Sequence, residues 1–239
     1  KQKITDYEVS LGKSSGVSTK VRLSEVETLQ YHLDTSFDVN VYIGKKKGHA
    51  SSGDLGKESL IRAIESACLI ARYTQEDPFN GLAPKERLAW QTPELDLYHF
   101  WNLDAKKSID IAKECEEVAL QQPEIDNSDG AEISSFEGES IYTNSNGLVA
   151  RAKNTRHSLH CSLIAKRERE MQTAYEYSVA LDAGELSPAK QVGIEAARLA
   201  QQKLGSQNLS PQKCPILFTP RQSTGLFSQL LGALSGSRQ

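Results

Sequence analysis

Hydrophobic and polar positions along this chain alternate in short runs, shift to helical spacing, and then repeat both patterns. Between residues 4 and 55, "YEVSL", "VSTKVRL", "VETLQYHL" and "FDVNVYI" alternate or cluster β-formers, with turns expected at Gly16, Ser24, Ser36 and Gly44. Consecutive antiparallel strands are the expectation. In "GKESLIRAIESACLIAR" the apolar positions Leu60, Ile64, Ala67 and Ala71 recur three and four residues apart, and Arg72 suits the negative end of a helix dipole. That pattern predicts an amphipathic helix laid on a sheet.

A long irregular connection follows over residues 74–101, carrying Pro78, Pro84 and Pro93 and the aromatics Phe79, Trp90, Tyr98, Phe100 and Trp101. A connection of that length is either functional or packed by its own side chains. The rings are expected to cover the helix after it, since aromatic side chains bury the most area. That helix is "LDAKKSIDIAKECEEVALQQ", with Asp104 as N-cap and Pro123 just past its end.

Then the first pattern returns. "DGAEISSF" matches "TDYEVSL", with Glu132 against Glu8 and Ile133 against Val9. After it come "SIYTN", "GLVARAKNT", "RHSLHCSLIA", "YEYSVAL" and the helix "SPAKQVGIEAARLAQQKL", with Ser187 as expected N-cap and Pro188 at its first position. Asn146–Gly147 signals a type I′ hairpin. The fold class is therefore α+β, a duplicated unit of antiparallel strands followed by one helix. Each unit is expected to pack its helix, over residues 57–72 and 187–204, on its own sheet. The predicted organisation is a first unit at 1–76, an aromatic connection and linker helix at 77–123, a second unit at 124–206, and a third region at 207–239. The last opens with an apolar strand, "CPILFT", and a helix.

Composition narrows the function classes. The 239 residues are 38% hydrophobic, enough for ordinary cores, and the net charge of −3 is spread over mixed signs, so no field draws phosphate backbones or anionic lipid. Direct nucleic-acid and membrane partners are not expected. No apolar run approaches the roughly 18 residues of a membrane span, and "KQKITDYEVS" has no signal-peptide pattern. Cys68, Cys115, Cys161 and Cys214 are far apart and form no CxxC pair, which suits reduced thiols and a cytoplasmic location.

Few residues offer chemistry. "RHSLHC" supplies His157, His160 and Cys161, the densest set of soft ligands, but with a strand period of two His157 and Cys161 share a face and His160 takes the other. Ordinary strand histidines are commoner than ligands, so this is a minor metal candidate. "GKKKGH" (44–49) and "KRERE" (166–170) read as polar hairpin tips. Serine-hydrolase, P-loop, dinucleotide and HExxH signatures are absent from the sequence.

Three stretches together carry a family resemblance: "GHASSGDL" with "AIESACLIARYTQEDPFNGL"; "DGAEISSFEGESIYTNSNGLVARAKNTRHSLHCSLIA"; and "TGLFSQLLGALSGS". In order and over essentially the whole chain, they resemble the PmbA/TldE branch of the TldD/PmbA family, described as modulators of DNA gyrase and as peptide-maturation proteases. Members run to about twice this length, so the resemblance implies an N-terminal half without the family's first helix, plus the entry into a C-terminal half.

In the TldD-type partner the helix matching the last stretch carries HExxxH, whose histidines hold zinc and whose glutamate acts as general base. Aligned on Gly232, the chain has Ser228 and Ala233 at the histidines and Gln229 at the glutamate. The resemblance thus implies a degenerate motif, no catalytic residue or cofactor in this subunit, and zinc supplied by a TldD-type metalloprotease. It further implies a heterodimer that admits unfolded peptides, with a homodimer possible in isolation. The alternatives are a metallopeptidase in its own right, or a regulator acting on gyrase through protein contacts.

Overall fold

The computed structural model describes residues 3–91 and 93–235. The chain divides into two compact units, residues 1–205 and 206–239. In the first, β1 (Asp6–Arg22), β2 (Glu25–Ile43) and β3 (Lys46–Ser52) precede α1 (Lys57–Tyr73). A connection leads to α2 (Ala105–Leu120), and then β4 (Ile125–Asn144), β5 (Val149–Arg167) and β6 (Glu170–Ala180) precede α3 (Ala189–Lys203).

The architecture is α+β, but the two sets of strands do not form separate sheets. They join in one six-stranded sheet of order β3-β2-β1-β4-β5-β6, with every neighbour pair antiparallel. Each unit begins with a strand that has one bare edge. Pairing β1 with β4, from Glu8 opposite Asn144 to Val21 opposite Ala131, satisfies both rows of backbone groups at once.

The strands are also fewer and longer than their sequence runs. Gly16 and Ser36, expected at turns, lie inside β1 and β2. Gly16 is there for close approach: a Cβ on it would stand 2.4 Å from Cδ1 of the Phe136 ring on β4. The β1–β2 turn does fall at Ser24, where Leu23 and Ser24 take φ of 51° and 63°. The β2–β3 turn starts at Gly44, with φ of 60°, but most of "GKKKGH" belongs to β3. "KRERE" contains the β5–β6 turn. The β4–β5 connection is not a type I′ turn, because only Gly147 (φ 93°) and not Asn146 has positive φ. Residues 145–148 instead form a longer loop, closed by the Gly147 N–H donating to the Asn144 carbonyl at 3.0 Å.

Opposed residues of an antiparallel pair point to the same side, so the register puts Phe37, Val39 and Val41 on the same face as Val17, Ile133 and Leu159. All three helices cover that face. The buried stripe of α1 is Ala63, Ala67 and Ala71, while Ile64 is exposed; small residues let the helix come down onto β3 at Gly48. Asp104 caps α2 as expected, its carboxylate accepting from Lys107 N–H at 2.7 Å. Ser187 does not cap α3, which starts at Ala189 after Pro188 with no side-chain cap. The larger core gathers Val17, Val21, Ile133, Leu159, Leu163 and Val192 under α2 and α3.

In the second unit, residues 213–219 are exposed and form no strand, contrary to the reading of "CPILFT". One residue later α4 (Pro220–Ala233) begins, with Pro220 in its first turn. Gly236 and Ser237, the end of the family-like stretch, lie outside the described residues. No helix among the described residues is long and apolar enough to cross a membrane.

Candidate functional site

The histidines of β5 fall where the period of two puts them. His157 and Cys161 point into the core, and His160 points to the opposite face, its ring 5.4 Å from that of Tyr175. His157 is fully enclosed. Its Nε2 lies 3.0 Å from the His99 carbonyl, which can only accept, so Nε2 carries the proton. In the neutral ring Nδ1 then accepts from the Ser135 hydroxyl at 2.9 Å. With both nitrogens engaged, His157 pins the connection before α2 onto the sheet. Trp101 meets it edge-on at 5.3 Å, and Lys107 of α2 lies over the Trp101 ring.

Cys161 lies beside Cys115 of α2, and a hydrogen bond between the thiols, with burial, pushes the Cys115 thiol well above its ordinary range. These are inert core groups. The three soft ligands therefore do not meet. Among the described residues, no group of three or more His, Cys, Asp or Glu side chains is placed to hold a metal ion.

Beside the pinned connection a cavity of about 270 Å³ opens on the helix-bearing face. Tyr31, Phe100, Trp101, Ser135, Glu137 and His157 are among its lining residues. Glu137 accepts from Ser15 Oγ at 3.0 Å and from Tyr98 Oη at 2.9 Å, and that second bond raises the Tyr98 phenol above its usual range. Sequence reasoning missed Ser135 and Glu137, since "SSFEGES" shows no catalytic spacing. Of the connection's aromatics only Trp101 packs on the core; Phe79, Trp90, Tyr98 and Phe100 are exposed and do not cover α2.

Ser228, Gln229 and Ala233 lie on α4, all exposed within their own unit. Ser228 and Ala233 stand five residues apart, about 140° around the helix. A hydroxyl, a carboxamide and a methyl supply neither imidazole nor carboxylate, so this donor set does not fit a zinc ion.

An antiparallel sheet made of two like sets of strands, with α1, α2 and α3 on one face, defines an α+β class of fold. Residues 7–71 match the PmbA/TldA metallopeptidase domain 1, and residues 98–204 match the PmbA/TldA metallopeptidase central domain. The chain belongs to the PmbA/TldD metallopeptidase family. It is 36% identical over 230 residues to a metalloprotease PmbA homolog of Haemophilus influenzae, covering 96% of this chain and 51% of that protein. The metalloprotease PmbA of Escherichia coli O157:H7 gives the same identity and coverage. The chain thus spans about half the length of these curated relatives.

A crystal structure of a putative modulator of DNA gyrase from Bacteroides thetaiotaomicron superimposes with a TM-score of 0.88 at 26% identity, over 99% of this chain and 54% of that one. TldE from Thermococcus kodakarensis shares the fold, with a TM-score of 0.64 at 15% identity, over 82% of this chain and 44% of that one.

Proposed function

We propose that this chain is the structural half of a cytoplasmic zinc metallopeptidase pair, acting in peptide maturation and in degradation of unfolded peptides. A TldD-type subunit brings the zinc and the general base; this subunit contributes walls and peptide contacts. One observation supports the reading: α4 carries Ser228, Gln229 and Ala233, which by the family resemblance correspond to the two imidazoles and the carboxylate of HExxxH. Glutamine keeps the shape of glutamate but takes no proton from a metal-bound water at neutral pH. The reading in which the chain is itself a metallopeptidase draws no support from β5, where His157 is engaged at both nitrogens and His160 lies on the opposite face.

The test is metal analysis and a peptidase assay on the full-length protein, alone and mixed with its TldD-type partner. Alone it is expected to hold no stoichiometric zinc and to leave unfolded casein intact. The mixture is expected to cleave. One zinc per chain together with cleavage by the isolated protein would overturn the proposal.

A further inference from the structure

The two halves of the sheet leave the same kind of gap and fill it differently. β6 pairs with β5 only from His157 onward, and β3 pairs with β2 only from Phe37 onward, so the first half of each middle strand overhangs its outer neighbour. On β5 the overhang is taken by the connection: Thr155 N–H donates to the Leu97 carbonyl at 2.9 Å, and His99 N–H donates to Thr155 Oγ1 at 2.9 Å. Trp101, two residues on, then packs its ring on the core. The segment is rich in aromatic residues, "LYHFW".

On β2 the matching overhang, residues 25–34, has β1 on one side and no strand on the other among the described residues. Natural edge strands are blunted by charge, proline or bulges. Here residues 28–33, "TLQYHL", carry no acid, lysine, arginine or proline. The alternate side chains Tyr31 and Leu33 are 71% and 70% exposed. Acidic residues stand only at the ends, Glu25 and Glu27 before the run and Asp34 after it.

We propose that residues 28–33 of β2 are a strand-addition site for an extended, unfolded peptide with aromatic or branched aliphatic side chains at alternate positions and basic residues at its ends. The site rests on the reading of this protein as the peptide-contacting partner of a zinc peptidase. The outward backbone groups of β2 supply sequence-tolerant affinity, of the kind the Thr155–Leu97 backbone bond makes on β5, and Leu29, Tyr31 and Leu33 select apolar side chains on one face. Glu25 and Asp34 favour lysine or arginine at the peptide's ends, while Glu27 is already paired with Lys20 at 2.6 Å.

The test uses the full-length protein without its partner and a fluorescent peptide of about eight residues, the length of an ordinary strand. The peptide alternates Tyr and Val with Thr between lysine ends, and two further versions carry N-methyl groups on alternate amides, one for each register. The parent peptide is expected to bind and to slow hydrogen exchange over residues 28–33. One methylated version should lose roughly tenfold or more in affinity while the other binds like the parent, because only one set of amides faces β2. Tyr31→Lys with Leu33→Lys should weaken binding similarly with the thermal midpoint unchanged.

Equal binding of all three peptides, or unchanged binding by the lysine variant, would overturn the site. So would strong protection of residues 28–33 in the free full-length protein, whether by a second copy or by another part of the chain. These readouts need neither zinc nor cleavage, so peptide binding without cleavage by the pair sinks the peptidase reading alone. Cleavage by the pair without binding at β2 sinks this site alone.

Discussion

α1 alone lies on the outer strands of the first half of the sheet, whereas α2 and α3 lie on the second half and α2 also reaches over β1. α1 lies on β2 and β3 through Ala63, Ala67 and Ala71, and its core is completed by Phe37, Val39, Val41 and Ile43. In the second half of the sheet α3 takes the equivalent place on β5 and β6, and α2 lies beside it, over β1 and β4. α2 also ties the units together. The buried Glu116 carboxylate accepts from the Leu23 and Ser24 N–H groups at 2.9 Å each, holding the left-handed turn between β1 and β2. Duplicated sequence thus does not mean duplicated stability: the added helix makes the second unit the anchor and leaves the first more open.

The sharpest way to break this contrast is to push a helix off each unit in turn. A Cβ at Gly193 would stand 2.1 Å from the Cys115 carbonyl oxygen, and one at Gly48 would stand 2.0 Å from that of Ala67. Gly193→Ala is expected to cost about 3 kcal/mol or more, despite alanine's better helix propensity, and to lower the midpoint of global unfolding in urea. Gly48→Ala forces α1 from β3, so it should open the first half of the sheet locally: in a Cys214→Ser background the half-buried Cys68 on α1 reacts faster with a maleimide while Cys115 stays protected. Equal labelling of the two thiols would show that the units unfold as one.

Next in size is Glu116→Ala, which removes the shared acceptor of two turn N–H groups and is expected to cost about 2–3 kcal/mol in chemical denaturation. His157→Ala removes the bonds at Ser135 and at the His99 carbonyl and should cost about 1–2 kcal/mol. Loosening of the connection would then appear as a red shift in Trp101 emission, read in a Trp90→Phe background.

The smallest effect is electrostatic and common to both units. Hydrogen bonds from Lys20, Arg167 and Arg198 hold the Glu27, Glu124 and Glu195 carboxyls below their usual range. A depressed folded value stabilises the protein above the unfolded value, near pH 4, and that gain is lost as pH falls through the folded value. The groups are solvent-screened, so the thermal midpoint should fall only slightly on acidification below about pH 4, and less at high salt.

Much of this was legible in the sequence because it depends on neighbours along the chain. The positions of α1, α2 and α3, the Asp104 cap, the Ser24 and Gly44 turns, and the split of His157 and Cys161 from His160 all follow from local period and residue type. What failed depends on distant partners. Gly16 reads as a turn until Phe136 of β4 is known to need the space over it, and nothing local says that β1 and β4 pair. The Ser135–His157–His99 contacts were hidden for the same reason, as they join β4, β5 and the connection. "CPILFT" has strand composition, but strand propensity acts only where a neighbour supplies a ladder.

The pairing of β1 with β4 also sets an order of events during synthesis. Val21 must meet Ala131, and Glu8 must meet Asn144, so the centre of the sheet cannot close until Asn144 has been made. At roughly 5–20 residues per second, β1 waits on the order of ten seconds between its own emergence and that of β4. During that interval β2 can cover one side of β1 while its other side offers a long bare ladder to any neighbouring nascent chain. Gly12, Ser14, Ser15 and Gly16 interrupt the hydrophobic run there, and such poor β-formers lower the risk that the waiting strand finds the wrong mate.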